Sequence, residues 1–426
     1  MAGTVTTEPI LLSSAGSDRA TAYNFSNKVL RHRDHLLVSW LEAPATKGGS
    51  TRIQLGLCDA STGQLKETQT LGEGIDNHCG ASMLTDADDR VHLFVGAHHG
   101  DFQHRWSDDP ADATSWSTPE PITGSHSYPA VSMDAEGTLH LVYRESYRGP
   151  TETWQLEYVR KPAGGDWSAP MLLAKCPVPG YSHFMHSLSI GPTGTLHVTL
   201  QFHYAVSGSA RQGKTKMATH IRSDDDGDHW TSEGQACALP VTIENALPFA
   251  SCIDDDEASI RIGTHVVDAD DQPWLYCAMS ESPLGVMWRR TATGWQSIGL
   301  DAALPDLNFA FQGRSTATSR DVQGHIHLLI STQAAGAGEG WYHPANELHH
   351  ITFTADGHIE GHQQLTADDP ANARWLPSIE YWDWQNAAVS CAGGHWFTYT
   401  SGLTAGWMDV ADYEDTLCTQ VWLGRL

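Results

Sequence analysis

The chain writes one phrase seven times, and a repeat of this length decides the fold before any single residue can. An Asp/Gly turn is followed by a strand that opens apolar, His or Trp, apolar. It reads Asp86-Ala-Asp-Asp-Arg-Val-His92, Asp134-Ala-Glu-Gly-Thr-Leu-His140, Gly191-Pro-Thr-Gly-Thr-Leu-His197, Asp268-Ala-Asp-Asp-Gln-Pro-Trp274 and Asp321-Val-Gln-Gly-His-Ile-His327, with weaker copies ending at Leu36 and Trp396. The markers Leu36, His92, His140, His197, Trp274, His327 and Trp396 stand 48 to 77 residues apart. Four strands and three turns need roughly 45 to 60 residues, so each interval makes one blade with loop insertions. The expected fold is all-β, a seven-bladed β-propeller of four-stranded antiparallel blades, as a single domain over residues 1–426. Glu8-Pro-Ile-Leu-Leu12 or Thr419-Gln-Val-Trp-Leu423 is available to close the ring.

Composition agrees. Charged residues make up only 18% of the chain, against 39 Gly and 16 Trp, and no long helical periodicity is visible. Ser223-Asp-Asp-Asp226-Gly227-Asp-His-Trp230 matches the Asp box, Ser-x-Asp-x-Gly-x-x-Trp, a turn between outer strands of propellers. The formal charge of −26 opposes nucleic acid and anionic membrane surfaces, because the dominant electrostatic contribution would be repulsive. Eight scattered cysteines without a Cys-x-x-Cys pair form neither a small disulfide scaffold nor a zinc ribbon, and most of them read as buried thiols. The N-terminus has no basic start and no apolar core, so no signal peptide is read, and no stretch approaches the length of a membrane span. The chain is expected to act as a monomer.

His92, His140, His197 and His327 share one repeat position, so a structural role is expected of all four. The informative polar residues are those that break the repeat. Counting equally back and forward from the Asp86 turn places His78 opposite His98 at one mouth of the channel. The same count in the next blade brings Tyr128, Tyr143 and Arg144 there, with His126 nearby. His183 and His186 follow from the fourth blade and Arg314 from the sixth.

Histidine, tyrosine and arginine together suit β-elimination on a uronic acid. The C5 proton becomes removable once Arg or a protonated His neutralises the adjacent carboxylate. A His or Tyr then acts as base, and a Tyr or His protonates the departing O4. The chemistry requires no metal. An acidic polysaccharide or oligosaccharide is the expected partner.

The segments Asn77-His78-Cys-Gly, Gly96-Ala-His98-His99-Gly-Asp, Tyr128-Pro129 and Leu141-Val-Tyr143-Arg144 resemble the propeller polysaccharide lyases, the ulvan lyases and the rhamnosyl-glucuronate lyase type, over about residues 70 to 330. That family's site is a His, a second His about twenty residues on, a Tyr some forty-five later and an Arg roughly sixteen beyond it. The resemblance implies His78 and Tyr143 as the base and acid. His98 and Arg160 would neutralise the carboxylate, with Arg144 as the competitor of Arg160. Arg314, His99, Tyr128, Arg144 and His183 would contact substrate. It also implies a linkage of rhamnose to O4 of glucuronate, and a structural zinc, or calcium, for which His203, His265 and Cys277 are the candidate ligands.

Two other classes fit the pattern less well. A sialidase-like hydrolase would need an arginine triad, a Tyr–Glu pair and an Asp acid. A non-catalytic sugar-binding propeller would use tryptophans such as Trp375, Trp382 and Trp384 as stacking surfaces.

Overall fold

The computed structural model describes residues 8–23, 25–44, 49–109, 112–146, 152–179, 181–183, 185–205, 213–279, 282–308, 315–337, 343–382, 384, 394–402 and 419–426. Its regular elements are β-strands joined in antiparallel sheets. Six of the repeat markers fall at the second residue of a strand, as His92 does in Val91–Val95, His140 in Leu139–Glu145 and His327 in Ile326–Ala334. Trp396 opens Trp396–Gly402. Each marker strand is the second of a run. The fifth run, for example, is Ile260–Val267, Pro273–Met279, Ser282–Thr291 and Gly294–Gly299, each paired with the next.

The described strands form five sheets, because two pairs of neighbouring runs are fused. Glu120–Met133 is long enough to serve two runs. Its first half pairs with His98–Asp109 and its second half with Leu139–Glu145. At the other junction, Gly16 meets Glu42 while the rest of Ile10–Gly16 lies against Thr419–Arg425, with Ile10 opposite Leu423. Both candidate closing strands are therefore used, one against the other, and they tie the two ends of the chain into one sheet.

The turn chemistry explains the repeat. Asp86 Oδ1 accepts the backbone N–H groups of Asp88 and Arg90, and Oδ2 contacts His92 Nε2 at 3.1 Å. Asp134 does the same for Thr138 and His140, and Asp268 for Gln272 and Trp274 Nε1. The other ring nitrogen of each marker histidine reaches the third strand. His92 meets His104 at 3.0 Å, His140 meets Tyr158 at 2.7 Å, His197 meets His220 at 3.1 Å and His327 meets His350 at 2.9 Å. His92 and His140 thus staple turn, second strand and third strand together with both ring nitrogens hydrogen-bonded, while Nε2 of His327 lies 3.3 Å from Asp321 Oδ2 and that of His197 lies 3.4 Å from Asp271 Oδ1 of the next run.

The Asp box folds in the same manner. Ser223 Oγ accepts from Gly227 N, Asp225 Oδ1 from His229 N, and Trp230 Nε1 donates to Gly227 O. Gly227 has φ +90°, and a Cβ there would stand 2.4 Å from Tyr158 Oη, so only glycine fits. Apolar clusters such as Val142, Leu156, Leu188, Leu200 and Phe202 fill the space between one run and the next.

Candidate active site

An acid that the repeat pattern does not single out organises the His78–His98 cluster. The loop after Leu65–Gly74 carries Asp76, whose Oδ1 accepts the His78 backbone N–H at 2.9 Å and stands 3.1 Å from His78 Nδ1. Its Oδ2 lies 2.6 Å from His98 Nδ1. A carboxylate only accepts, so both imidazoles carry their proton on Nδ1 and leave Nε2 as the lone-pair nitrogen. The two rings stack at 4.3 Å, and His99 continues over His98 at 4.0 Å. Close backbone approach makes this possible: a Cβ on Gly96 would stand 2.1 Å from the Gly80 carbonyl oxygen.

Burial is the main reason both imidazoles resist protonation. It brings His98 down to about 4, with His78 adding to the effect. It shifts His78 the same way, with Arg19 and Arg144 adding to it and Asp76 opposing. Burial works against the Asp76 charge, but the two imidazoles outweigh it and hold that carboxyl well below the usual range. At neutral pH the cluster is thus one carboxylate clamping two neutral bases.

The cation of the site is Arg144. Ser127 lies opposite His98 in one strand and opposite Arg144 in the other, and its Oγ takes both Arg144 Nη2 at 3.0 Å and His99 N at 3.1 Å. The guanidinium sits 4.5 Å from the ring centres of both Tyr128 and Trp154. Arg144 is 0% exposed, and its Nε and Nη1 meet no hydrogen-bond partner among the described residues. A buried guanidinium with two nitrogens unmet is costly. It is also the group whose planar fork matches a carboxylate.

Tyr128 and His99 hold left-handed backbone, φ +65° and +62°, and the ladder shifts register between Ser127 and Ala130. Such strained non-glycine residues persist only where the surroundings fix them, and bulges of this kind re-aim side chains beside active sites. His186 Nε2 donates to the Tyr128 carbonyl at 3.0 Å and supports the bulge.

The segment after Ile10–Gly16 supplies the third side. Arg19 Nη1 donates to Tyr23 Oη at 2.9 Å and to His78 Nε2 at 3.0 Å. Tyr23 stands edge-on to Tyr128 at 5.4 Å. Asp18, fully buried beside Arg19, accepts from Asn77 Nδ2, and its carbonyl accepts from Trp375 Nε1.

Of the expected residues, the structure brings together His78, His98, His99, Tyr128 and Arg144. It sends Tyr143 elsewhere. Strand side chains alternate, so the neighbour of Arg144 faces the other side of the sheet. There Tyr143 is buried between Phe102 and His126 and donates to Glu157 Oε2 at 3.1 Å. Arg160 lies four residues beyond Leu156, the ladder partner of Arg144, about 13 Å further along the strand. Its guanidinium holds the Asp-box turn through Asp226 O and Asp228 Oδ1. His183 lies in a short strand opposite His203, and Arg314 falls outside the described residues.

The three residues considered for zinc or calcium do not converge. His203 Nδ1 faces the Arg261 guanidinium at 2.7 Å, His265 Nδ1 pairs with Thr199 Oγ1, and Cys277 packs with Ile262 and Leu275. A guanidinium against the imidazole repels a cation, so this set does not fit a metal. Among the described residues, the three ligand-type side chains whose atoms come within 4.8 Å of one another are Asp76, His78 and His98. There Nδ1 of both imidazoles faces the Asp76 carboxylate. The tryptophans are not open platforms either: Trp375 is fully buried, and Trp382 and Trp384 meet edge-on under Arg320.

A family model described as a BNR repeat-containing family member matches residues 50–300, more than half of the chain. The chain belongs to the BNR repeat-containing family. No curated protein matches it. Among solved structures, this BNR-repeat chain is similar to an ulvan lyase of polysaccharide lyase family PL25. The TM-score is 0.70 at 15% identity, over 93% of this chain and 94% of that one. The same figures hold for that lyase bound to -[GlcA(1-4)Rha3S]-. The polysaccharide lyase Uly1 is similar at a TM-score of 0.56 and 11% identity, over 99% of each chain. At such identities the likeness is one of fold.

Sequence reasoning missed Asp76, Arg19 and Tyr23 in this BNR-repeat chain. One signal was available for the Tyr–Arg pair. Tyr128 and Arg144 are sixteen residues apart, the interval the resemblance asks for, whereas Tyr143 and Arg160 are seventeen apart.

Proposed function

We propose that the chain is a polysaccharide lyase that cleaves a uronate-containing polysaccharide by β-elimination, on a single-domain propeller of seven four-stranded blades. Counting each fused sheet as two blades supports the number seven. One observation carries the functional reading: a buried Arg144 with two unmet nitrogens stands beside neutral imidazoles clamped by one carboxylate.

Arg144 takes the C6 carboxylate of the uronate and stabilises the negative charge that develops as C5 loses its proton. An imidazole Nε2 accepts that proton, and Asp76 stabilises the imidazolium through Nδ1, as the aspartate of a catalytic triad does. The C5–H electron pair forms the C4=C5 double bond, and the C4–O4 bond breaks. O4 leaves with the preceding sugar and takes a proton from the phenol of Tyr128, whose phenolate the overlying guanidinium stabilises. Exchange with solvent returns the proton from imidazole to phenol. No step calls on a metal.

The substrate reading is rhamnose linked to O4 of glucuronate, which rests on the family resemblance; the ulvan lyase is described bound to -[GlcA(1-4)Rha3S]-, which contains the same two kinds of sugar. The hydrolase alternative needs three arginines on one carboxylate. Among the described residues the mouth offers Arg19 and Arg144, and Arg19 is engaged by His78 and Tyr23. The test is the ultraviolet absorbance of the unsaturated uronate on incubation with ulvan and, separately, gum arabic. A rise lost in Arg144→Ala supports the lyase. Reducing sugar released without that rise supports the hydrolase.

A further inference from the structure

The two histidines clamped by Asp76 look equivalent in sequence, but their Nε2 atoms are not. We propose that Arg19 is a positioning residue that divides the pair's labour: it occupies the lone pair of His78 and leaves His98 as the base. The kinetic half of this inference rests on the lyase reading; the structural half does not.

The guanidinium is a donor at every nitrogen and does not give up its proton. With Arg19 Nη1 3.0 Å from His78 Nε2, that nitrogen is an acceptor in use. Protonating it would set N–H against N–H and place an imidazolium against a guanidinium. His98 Nε2 has no hydrogen-bond partner among the described residues; the two side chains are similarly open, 16% for His98 and 20% for His78, so it is the engagement of Nε2 that separates them. His98 also makes the shorter contact with the shared carboxylate, 2.6 Å against 3.1 Å, so Asp76 is better placed to stabilise a proton arriving there.

Arg19 is not a loose surface side chain. Its backbone neighbour Asp18 is fully buried, tied to Asn77 beside His78 and to Trp375 near the end of the chain. Arg19 Nη1 spans His78 and Tyr23 at once, which fixes the plane of the fork. The closure of the ring thus presents a donor at the one imidazole nitrogen that would otherwise compete for the C5 proton.

The experiment uses the full chain labelled with ¹⁵N-histidine, with the two residues assigned by difference against His78→Gln and His98→Gln. The expected His78 Nε2 signal is that of a hydrogen-bonded acceptor, and it moves to the unbonded position in Arg19→Leu while His98 Nε2 stays put. A His78 Nε2 already unbonded in the native chain overturns the assignment, whether or not the chain is a lyase. In the elimination assay, His98→Gln is expected to lower kcat about 10²- to 10⁴-fold, the range of a lost general base, and His78→Gln to cost about tenfold. The reverse ranking overturns the division of labour. If the native chain eliminates nothing from either polymer, the lyase reading fails and the nitrogen spectra alone decide the role of Arg19.

Discussion

Lowering the pH from about 7 to 5 should destabilise this protein strongly, and its buried histidines give the size of the effect. Burial is the main cause that brings His104 down to about 2, His350 to about 3, and His349 and His98 to about 4. An unfolded histidine titrates near 6.5, so below that pH the unfolded chain binds protons that the fold refuses. The contribution of these histidines is therefore intact above about pH 7 and is lost as the pH drops. Each of the four groups costs about 2 kcal/mol at pH 5, about 8 kcal/mol together.

Glu347 works in the opposite direction. Burial raises its carboxyl to about 7, so the fold gains about 2 to 3 kcal/mol from it on the way to pH 5. The net loss of about 5 to 6 kcal/mol is comparable to the whole stability of an ordinary domain, about 5 to 15 kcal/mol. Urea midpoints followed by tryptophan fluorescence at pH 7, 6 and 5 read this directly. His104→Gln, which removes one such group, should flatten the slope by about 1.4 kcal/mol per pH unit. A midpoint unchanged between pH 7 and 5 would refute the reasoning.

Three further outcomes follow from the placement of single residues. Arg144→Lys keeps the charge but loses the fork, and it should lower kcat/KM about 10²-fold in the elimination assay, with Arg144→Ala lower still. Tyr143→Phe and Arg160→Ala, by contrast, should keep kcat within a few-fold of the native chain. The first should cost about 1 to 3 kcal/mol of urea stability by leaving Glu157 short of a donor, and the second less than about 1 kcal/mol, since its ion pair with Asp228 is largely exposed. Gly227→Ala should lower the thermal midpoint clearly, because it adds left-handed strain to a contact with Tyr158 that has no room.

The repeat was legible because its chemistry is local. An aspartate six residues before His92 or His140 builds its turn and reaches its own histidine, so period and role are both visible in one short window. His78 and His98 were legible for the same reason, since they flank one turn at equal distance. Tyr143 was chosen over Tyr128 because spacing alone does not see a bulge. The register shift beside Pro129 changes which residues share a face with His98, and only the ladder shows it. Arg19 and Tyr23 lie outside the repeat and reach His78 across 59 and 55 positions of chain, through the pairing of the first strand with the last. Asp76 was overlooked as one acid among 51 Asp and Glu; its meaning comes from the two imidazoles folded against it. His203, His265 and Cys277 were joined by residue type, and residue type carries no distance.

The most direct measurement is the appearance of unsaturated uronate by ultraviolet absorbance, with the native chain, Arg144→Ala and His98→Gln compared at equal folded concentration on ulvan and on gum arabic. The account expects the native chain to generate the chromophore from at least one polymer and both variants to lose at least about 10²-fold in rate. A native chain that cleaves either polymer without forming the double bond, or variants that form it at the native rate, would contradict it.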